Sequence, residues 1–245
     1  MKRIFSIVLL FLSVAFCASA QKELGEYIEI DGVPSCVIHY DEDGVHGVAI
    51  SIPGFWVKEA KKVDKYVSKG LMTEAQGKIF RENLIGSGLT KKKEKIDVSD
   101  LMNQLSDDGK KNQEKIEAYC EKNGISLQEI FPLQYWAKSL GEGWFIPGDQ
   151  ELTYFANMYF GGLGRSNSLG TKTMSHAKEL CSNELVQEML ARMVLSGIYS
   201  SSCHNAEWGF RALRPQFVKL TGKWYMEILD TFSGRTPEVC AAHYF

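Results

Sequence analysis

Hydrophobic positions recur at every second residue near the start of the chain and at every third or fourth through its middle. Residues 26–30, 35–40 and 46–52 follow the first rhythm. In the third run, HGVAISI, Val48, Ile50 and Ile52 line one face. Asp31-Gly32 is a hairpin signal between the first two runs, and Asp41-Glu42-Asp43-Gly44 turns the chain into the third. The pattern predicts a β-meander. Residues 58–69 and 73–84 then have helical composition, and Gly86-Ser87-Gly88 breaks the second of them. This part, near 58–95, reads as a helical insertion exposed on the domain surface.

Residues 97–105 supply one or two helical turns. Residues 109–120 form a helix with Ile116, Tyr119 and Cys120 at helical spacing. Ser126-Leu127-Gln128-Glu129 has the form of a capping box. Pro132 suits a first helical turn, where its missing N–H would have no partner anyway. A fresh helix therefore starts there, turns Leu133, Trp136, Ala137 and Leu140 to one side, and stops at Gly141. Trp144, Phe145 and Ile146 follow as a buried segment closed by Pro147. Asp149 can cap the next helix, whose Leu152, Phe155 and Ala156 face inward. Residues 159–173, rich in glycine, serine and asparagine, read as a loop. Residues 176–195 read as one long helix, its rhythm carried by Leu180, Leu185, Met189, Arg192 and Met193, with the methionines as core filler. The strand rhythm returns over 198–201, 208–213, 223–229 and 239–244. Strands, then helices, then strands favour an α+β class over a parallel α/β sheet.

The N-terminus changes what counts as fold. Lys2 and Arg3 precede an apolar run over residues 4–16, and Ala18-Ser19-Ala20 supplies small residues for a signal peptidase. Residues 1–20 are expected to be a signal peptide, leaving 21–245 as a single exported domain that is periplasmic, at the cell surface or extracellular. Cys17 raises a lipoprotein alternative, against which the bulk of Phe16 argues. No later run is apolar enough to be a transmembrane segment. The chain has 28 basic and 30 acidic residues, so losing Lys2 and Arg3 moves the net charge from −2 to about −4. That balance argues against nucleic acid as a partner. Of six cysteines, Cys36, Cys120, Cys181, Cys203 and Cys240 lie beyond the leader. Export permits disulfides, and the odd number leaves at least one thiol over. One bridge is expected, with its partners open.

Several short runs invite chemistry, and each has a plainer reading. The acidic turn at residues 41–44 lacks the spaced ligands and closing glutamate of a calcium loop. Lys91-Lys92-Lys93 is flanked by acids and reads as a solvated loop. Gly161-Gly162-Leu163-Gly164 follows no strand and is no dinucleotide fingerprint. His39 and His46, either side of the acidic turn, would make half a zinc site only if the hairpin faced them together. Cys203-His204-Asn205 suggests a nucleophile, but neighbours in a turn point apart, so a base would have to come from His39, His46, His176 or His243. Trp208, Arg211 and Trp224 could form a stacking platform for sugar or peptide.

Taken in order, these segments resemble a known fold family. GWFIP at residues 143–147, followed by Glu151-Leu152, resembles the Gly-Trp-x-x-Pro and Glu-Leu signature of C-type-lectin-like domains in secreted bacterial proteins, the group of the major paralogous domain. HGVAISI resembles its His-Gly-aliphatic strand, and Asp108-Gly109-Lys110-Lys111-Asn112 its Asp-Gly-x-x-Asn helix lead-in. IYSSSCHNAEWGFRAL resembles its Tyr-x-Ser-Ser loop and Trp-centred strand, and VCAAHYF its closing strand. The resemblance covers the mature chain apart from roughly residues 58–95. It implies paired N- and C-terminal strands in an antiparallel sheet, packed helices, and a loop-rich lobe that presents a binding surface.

The sugar-binding lectins' Glu-Pro-Asn or Gln-Pro-Asp tripeptide is missing, and Glu207-Trp208-Gly209 lacks the Asn-Asp calcium ligands. The expected function is therefore a non-enzymatic binding module for a glycan or protein, with no lectin-type calcium site and no cofactor. Asn205, Glu207, Trp208, Arg211 and Trp224 are its expected ligand-binding residues. The alternative is a secreted hydrolase or redox enzyme using Cys203 with a histidine. A formylglycine-generating type of oxidoreductase, pairing Cys203 with Cys240, is one form of it.

Overall fold

The computed structural model describes residues 23–85, 97–160, 173–202, 211–218, 223–229 and 237–245. For the strands at 211–218 and 223–229 it gives the backbone path and the side chain of Leu213. Strands β1 (Tyr27–Ile30), β2 (Val33–Tyr40) and β3 (Gly47–Ser51) form the expected meander. Ile30 pairs with Val33 across a two-residue turn, Asp31-Gly32, whose φ angles of 52° and 79° both lie in the left-handed region. That backbone matches the twist of the flanking strands, which is why the Asp-Gly pair sets the register. The last strand, β7 (Ala242–Tyr244), adds to β3, so the sheet order is β1-β2-β3-β7 and every pairing is antiparallel. β4 (Ile198–Ser200), β5 (Arg211–Val218) and β6 (Lys223–Leu229) make a second antiparallel sheet.

Nine α-helices occur among the described residues: α1 (Ala60–Ser68), α2 (Glu74–Glu82), α3 (Ser99–Met102), α4 (Gly109–Asn123), α5 (Leu127–Ile130), α6 (Pro132–Ser139), α7 (Asp149–Phe160), α8 (Thr173–Leu180) and α9 (Glu184–Ser196). The class is mixed α and β, as the pattern of segments implied. Pro132 opens α6 as expected. At Ser126 only half a capping box forms, with Oγ accepting from the Glu129 N–H. The reciprocal box stands at Thr73 and Gln76, each side chain accepting from the other's backbone N–H, and it starts α2.

Three expectations change. The helices of residues 60–82 do not lie wholly on the surface. Val63, Tyr66, Met72 and Phe80 are buried in the main core with Phe55 and Trp136, while Lys61, Lys65 and Lys78 stay outside. The predicted single helix over 176–195 is two. Asn183 accepts from the N–H groups of Leu185 and Val186, so it caps α9, and Gln187 Nε2 donates back to the Cys181 carbonyl. A side chain that satisfies two orphan N–H groups competes with helix continuation, and here it wins. The closing strand is shorter than 239–244: the Ala241 and Val239 carbonyls each accept one backbone N–H, from Ser51 and Gly54, but the paired ladder begins only at Ala242. A second, smaller core of Leu101, Met102, Leu105, Ile116, Cys120 and Phe131 lies between α3, α4 and α5.

Candidate functional site

The motif residues converge on one buried node. The carboxylate of Glu151, in the first turn of α7, is fully buried. Its Oε2 accepts from the backbone N–H groups of Gly109 (3.1 Å) and Gly148 (2.8 Å), and its Oε1 accepts from the Tyr244 hydroxyl (2.6 Å). A Cβ on Gly109 or Gly148 would run into backbone of the opposing segment, so glycine at both positions lets α4 approach the turn before α7. Asn112 Nδ2 donates to the carbonyls of Ser106 and Ser201. Ser201 Oγ donates to the Ile146 carbonyl, and Ser200 Oγ to Asp149 Oδ1. Phe145 bridges Ala242 of β7 with both backbone hydrogen bonds. Helix lead-in, the hinge at residues 143–148, serine loop and closing strand thus share one hydrogen-bond network. Its members satisfy one another, which makes it a structural joint.

Next to this joint is a cavity of about 300 Å³ lined by Lys110, Gln113, Trp144 and Phe145, with Lys138, Glu117 and Glu142 among the other walls. Gly141 and Gly143 take φ of 147° and 82°, and a Cβ on Gly143 would press on His243 Nε2 at 2.8 Å. The two glycines let the chain bend tightly enough to bring the Trp144 ring to the cavity wall. Gln113 and Trp144 are 6% and 2% exposed, and each carries one polar atom without a partner: the acceptor Oε1 and the donor Nε1. Gln113 Nε2 is used, donating to Glu117 Oε1 and the Gln134 carbonyl. Glu117 in turn pairs with Lys138 at 2.5 Å. Lys110 Nζ lies 5.8 Å from the centre of the Tyr244 ring. Burial, and then the hydrogen bond to Glu151, push the Tyr244 phenol far above its ordinary range, so it stays a donor.

Of the residues expected to bind ligand, Asn205, Glu207 and Trp208 lie outside the described residues, as do Cys203 and His204. Arg211 opens β5 opposite Ser200, and Trp224 on β6 pairs with Phe217. The register therefore separates the backbones of Arg211 and Trp224 by roughly 20 Å along the sheet. His39 and His46 are held apart by separate partners. His39 stacks on Tyr154 (centroids 3.9 Å apart) with Asp41 3.5 Å from its Nε2, and His46 Nδ1 meets Asp43 at 2.5 Å. Among the described residues no group of three histidine, cysteine, aspartate or glutamate side chains is gathered for a metal.

The expected disulfide is not formed among the described residues: Cys36, Cys120, Cys181 and Cys240 are all buried free thiols. Burial pushes the thiols of Cys36 and Cys240 far up, and that of Cys120 up as well, which leaves them poor nucleophiles. No described helix is long and apolar enough to cross a membrane.

Sequence reasoning passed over Gln113, and it names Lys110 only as a variable position of the helix lead-in. The available signal was Trp144 just after Gly141 and Gly143, a large ring at a tight bend of the chain. Comparison with protein-family models, with curated proteins and with solved structures finds no match.

Proposed function

We propose that the chain is an exported, non-enzymatic binding module of C-type-lectin-like architecture that holds a glycan in the cavity beside Trp144. The lectin-like reading is supported by the pairing of β3 with β7 and by the convergence of the family-like motifs on Glu151. One observation carries the binding reading: two residues that line the same cavity, Trp144 and Gln113, each hold a buried polar atom without a partner, the donor Nε1 and the acceptor Oε1.

Leaving a buried polar atom unpaired costs about 1–3 kcal/mol, so small side-chain shifts that bring either atom to a ligand are favoured. A sugar hydroxyl both accepts and donates, and the C–H face of a sugar ring packs on indole. The cavity is also of a size that holds a small ligand, at the low end of the usual ~300–1,000 Å³. A protein ligand is the second outcome of the same test. The mature protein would be applied to glycan and peptide arrays, and hits followed by Trp fluorescence. Glycan binding that weakens at least tenfold in Trp144→Phe and Gln113→Ala, with the circular dichroism unchanged, is expected. Peptide hits alone, no hit on either array, or binding indifferent to both variants would overturn the glycan reading.

A further inference from the structure

The four buried thiols are not equally placed. Cys36 lies in β2 directly across from Tyr27 of β1, and cross-strand partners project to the same side of a sheet. Tyr27 and Cys181 line the same cavity of about 430 Å³, together with Glu26 and Leu180. Leu180 packs on Gly25 so tightly that a Cβ there would stand 2.8 Å from the Leu180 carbonyl oxygen. Gly25 donates its N–H to the carbonyl of Val37, the residue after Cys36, at 2.8 Å. The break between α8 and α9 thus sits against the first two strands, with one cysteine on each side of the contact.

From this placement we infer that Cys36 and Cys181 are a redox pair, oxidised to an intramolecular disulfide by a small-molecule disulfide. A separate observation agrees: burial first, and then the nearness of Cys181, oppose ionisation of Cys36. Cys181, 8% exposed and lining the open cavity, is the point of entry, whereas Cys36 is fully buried. The Cys181 thiolate attacks one sulfur of the small disulfide, whose S–S bond breaks and whose first thiolate leaves and takes up a proton. Cys36, too buried to react with reagents from solution, attacks the Cys181 sulfur intramolecularly, its proton passing to the departing sulfur as the second small thiol leaves. The protein loses two protons and two electrons, and one small disulfide becomes two thiols. The bridge ties β2 to the break between α8 and α9 across a long stretch of chain, so it constrains the unfolded state strongly. This inference is independent of the glycan reading and extends to the compartment the leader implies.

The experiment uses the full mature chain, reduced, then equilibrated with oxidised and reduced glutathione. The intact mass before alkylation is expected to fall by about 2 Da, and mapping after unfolding and alkylation to show a Cys36–Cys181 cross-linked peptide, with Cys120 and Cys240 alkylated. The thermal midpoint should rise by on the order of 10 °C on oxidation. In Cys36→Ser, Cys181 should instead retain a glutathione adduct. Mapping the wild type needs no variant to fold, so the result is decisive either way. Alkylation of both Cys36 and Cys181 after oxidation, or a link from either to Cys203, Cys120 or Cys240, overturns the pairing.

Discussion

Glu151 illustrates how much one side chain can hold. Its two oxygens take three donors that come from α4, the hinge and β7; the two glycine donors are buried and Tyr244 is half-buried. Glu151→Ala leaves two backbone N–H groups and a phenol unpaired, so a loss of about 3–5 kcal/mol is expected in urea unfolding. Tyr244→Phe removes one hydrogen bond to a charged group and should cost about 1.5–3 kcal/mol. The reverse order would mean that the node is not what joins these elements. A second residue-scale pair, His46 and Asp43, is fully exposed and serves as a titration marker. The hydrogen bond between them raises the His46 pKa above 6.5 and, with the backbone N–H groups of Val45 and His46, lowers that of Asp43 to about 2. The signs follow from linkage. The His46 contribution is full below pH 6.5 and fades as pH rises through its raised folded value. The Asp43 contribution is full above pH 3.8 and fades as pH falls towards 2. NMR titration should place the His46 pKa above 6.5, and Asp43→Asn should return it towards that value.

At the scale of elements, much of the chain was legible where local chemistry and tertiary packing agree. The Asp31-Gly32 turn, Pro132 and the alternating HGVAISI run each specify their element without outside help. The helix over 176–195 misled because Leu180, Leu185 and Met189 keep a helical rhythm straight through the break. Only the short run Ser182-Asn183-Glu184, a capping side chain followed by an acid, marked the new start. The helices of residues 60–82 misled differently: read as an exposed insertion, they send Val63 and Tyr66, three residues apart on α1, and Phe80 of α2 into the core. The candidate site was not legible as a site: the sequence offers ligand residues between 205 and 224 and makes Trp144 only part of a buried segment, and Gln113 gains its meaning only from α6, which no local pattern brings to α4. Asn183→Ala should test the reading of the break, with about 1 kcal/mol lost and α9 fraying first in hydrogen exchange. Protection unchanged at Leu185 and Val186 would show that packing alone stops the helix.

For the whole molecule, the decisive contact is between segments almost two hundred residues apart. β7 has only three residues, yet it pairs with β3, bridges Phe145 and carries the hydroxyl that closes the Glu151 node. Immediately before it, the Ala241 N–H bonds to Ser51 Oγ, and Cys240 lies fully buried in the main core. A strand with so little area of its own stabilises mainly by completing what β3 and the hinge leave open, since unpaired buried backbone groups are costly. Contacts this distant in sequence also form late in folding, because the long loop between them must close first. Truncation after Ala241 should therefore do more than remove a strand. It should broaden the urea transition, weaken near-UV circular dichroism while far-UV signal persists, and open Cys240 to alkylation in native buffer. The intact chain should label at Cys240 only as fast as it unfolds globally. A truncated chain that still unfolds sharply and keeps Cys240 protected would place the organising contact elsewhere, in the helical half of the core.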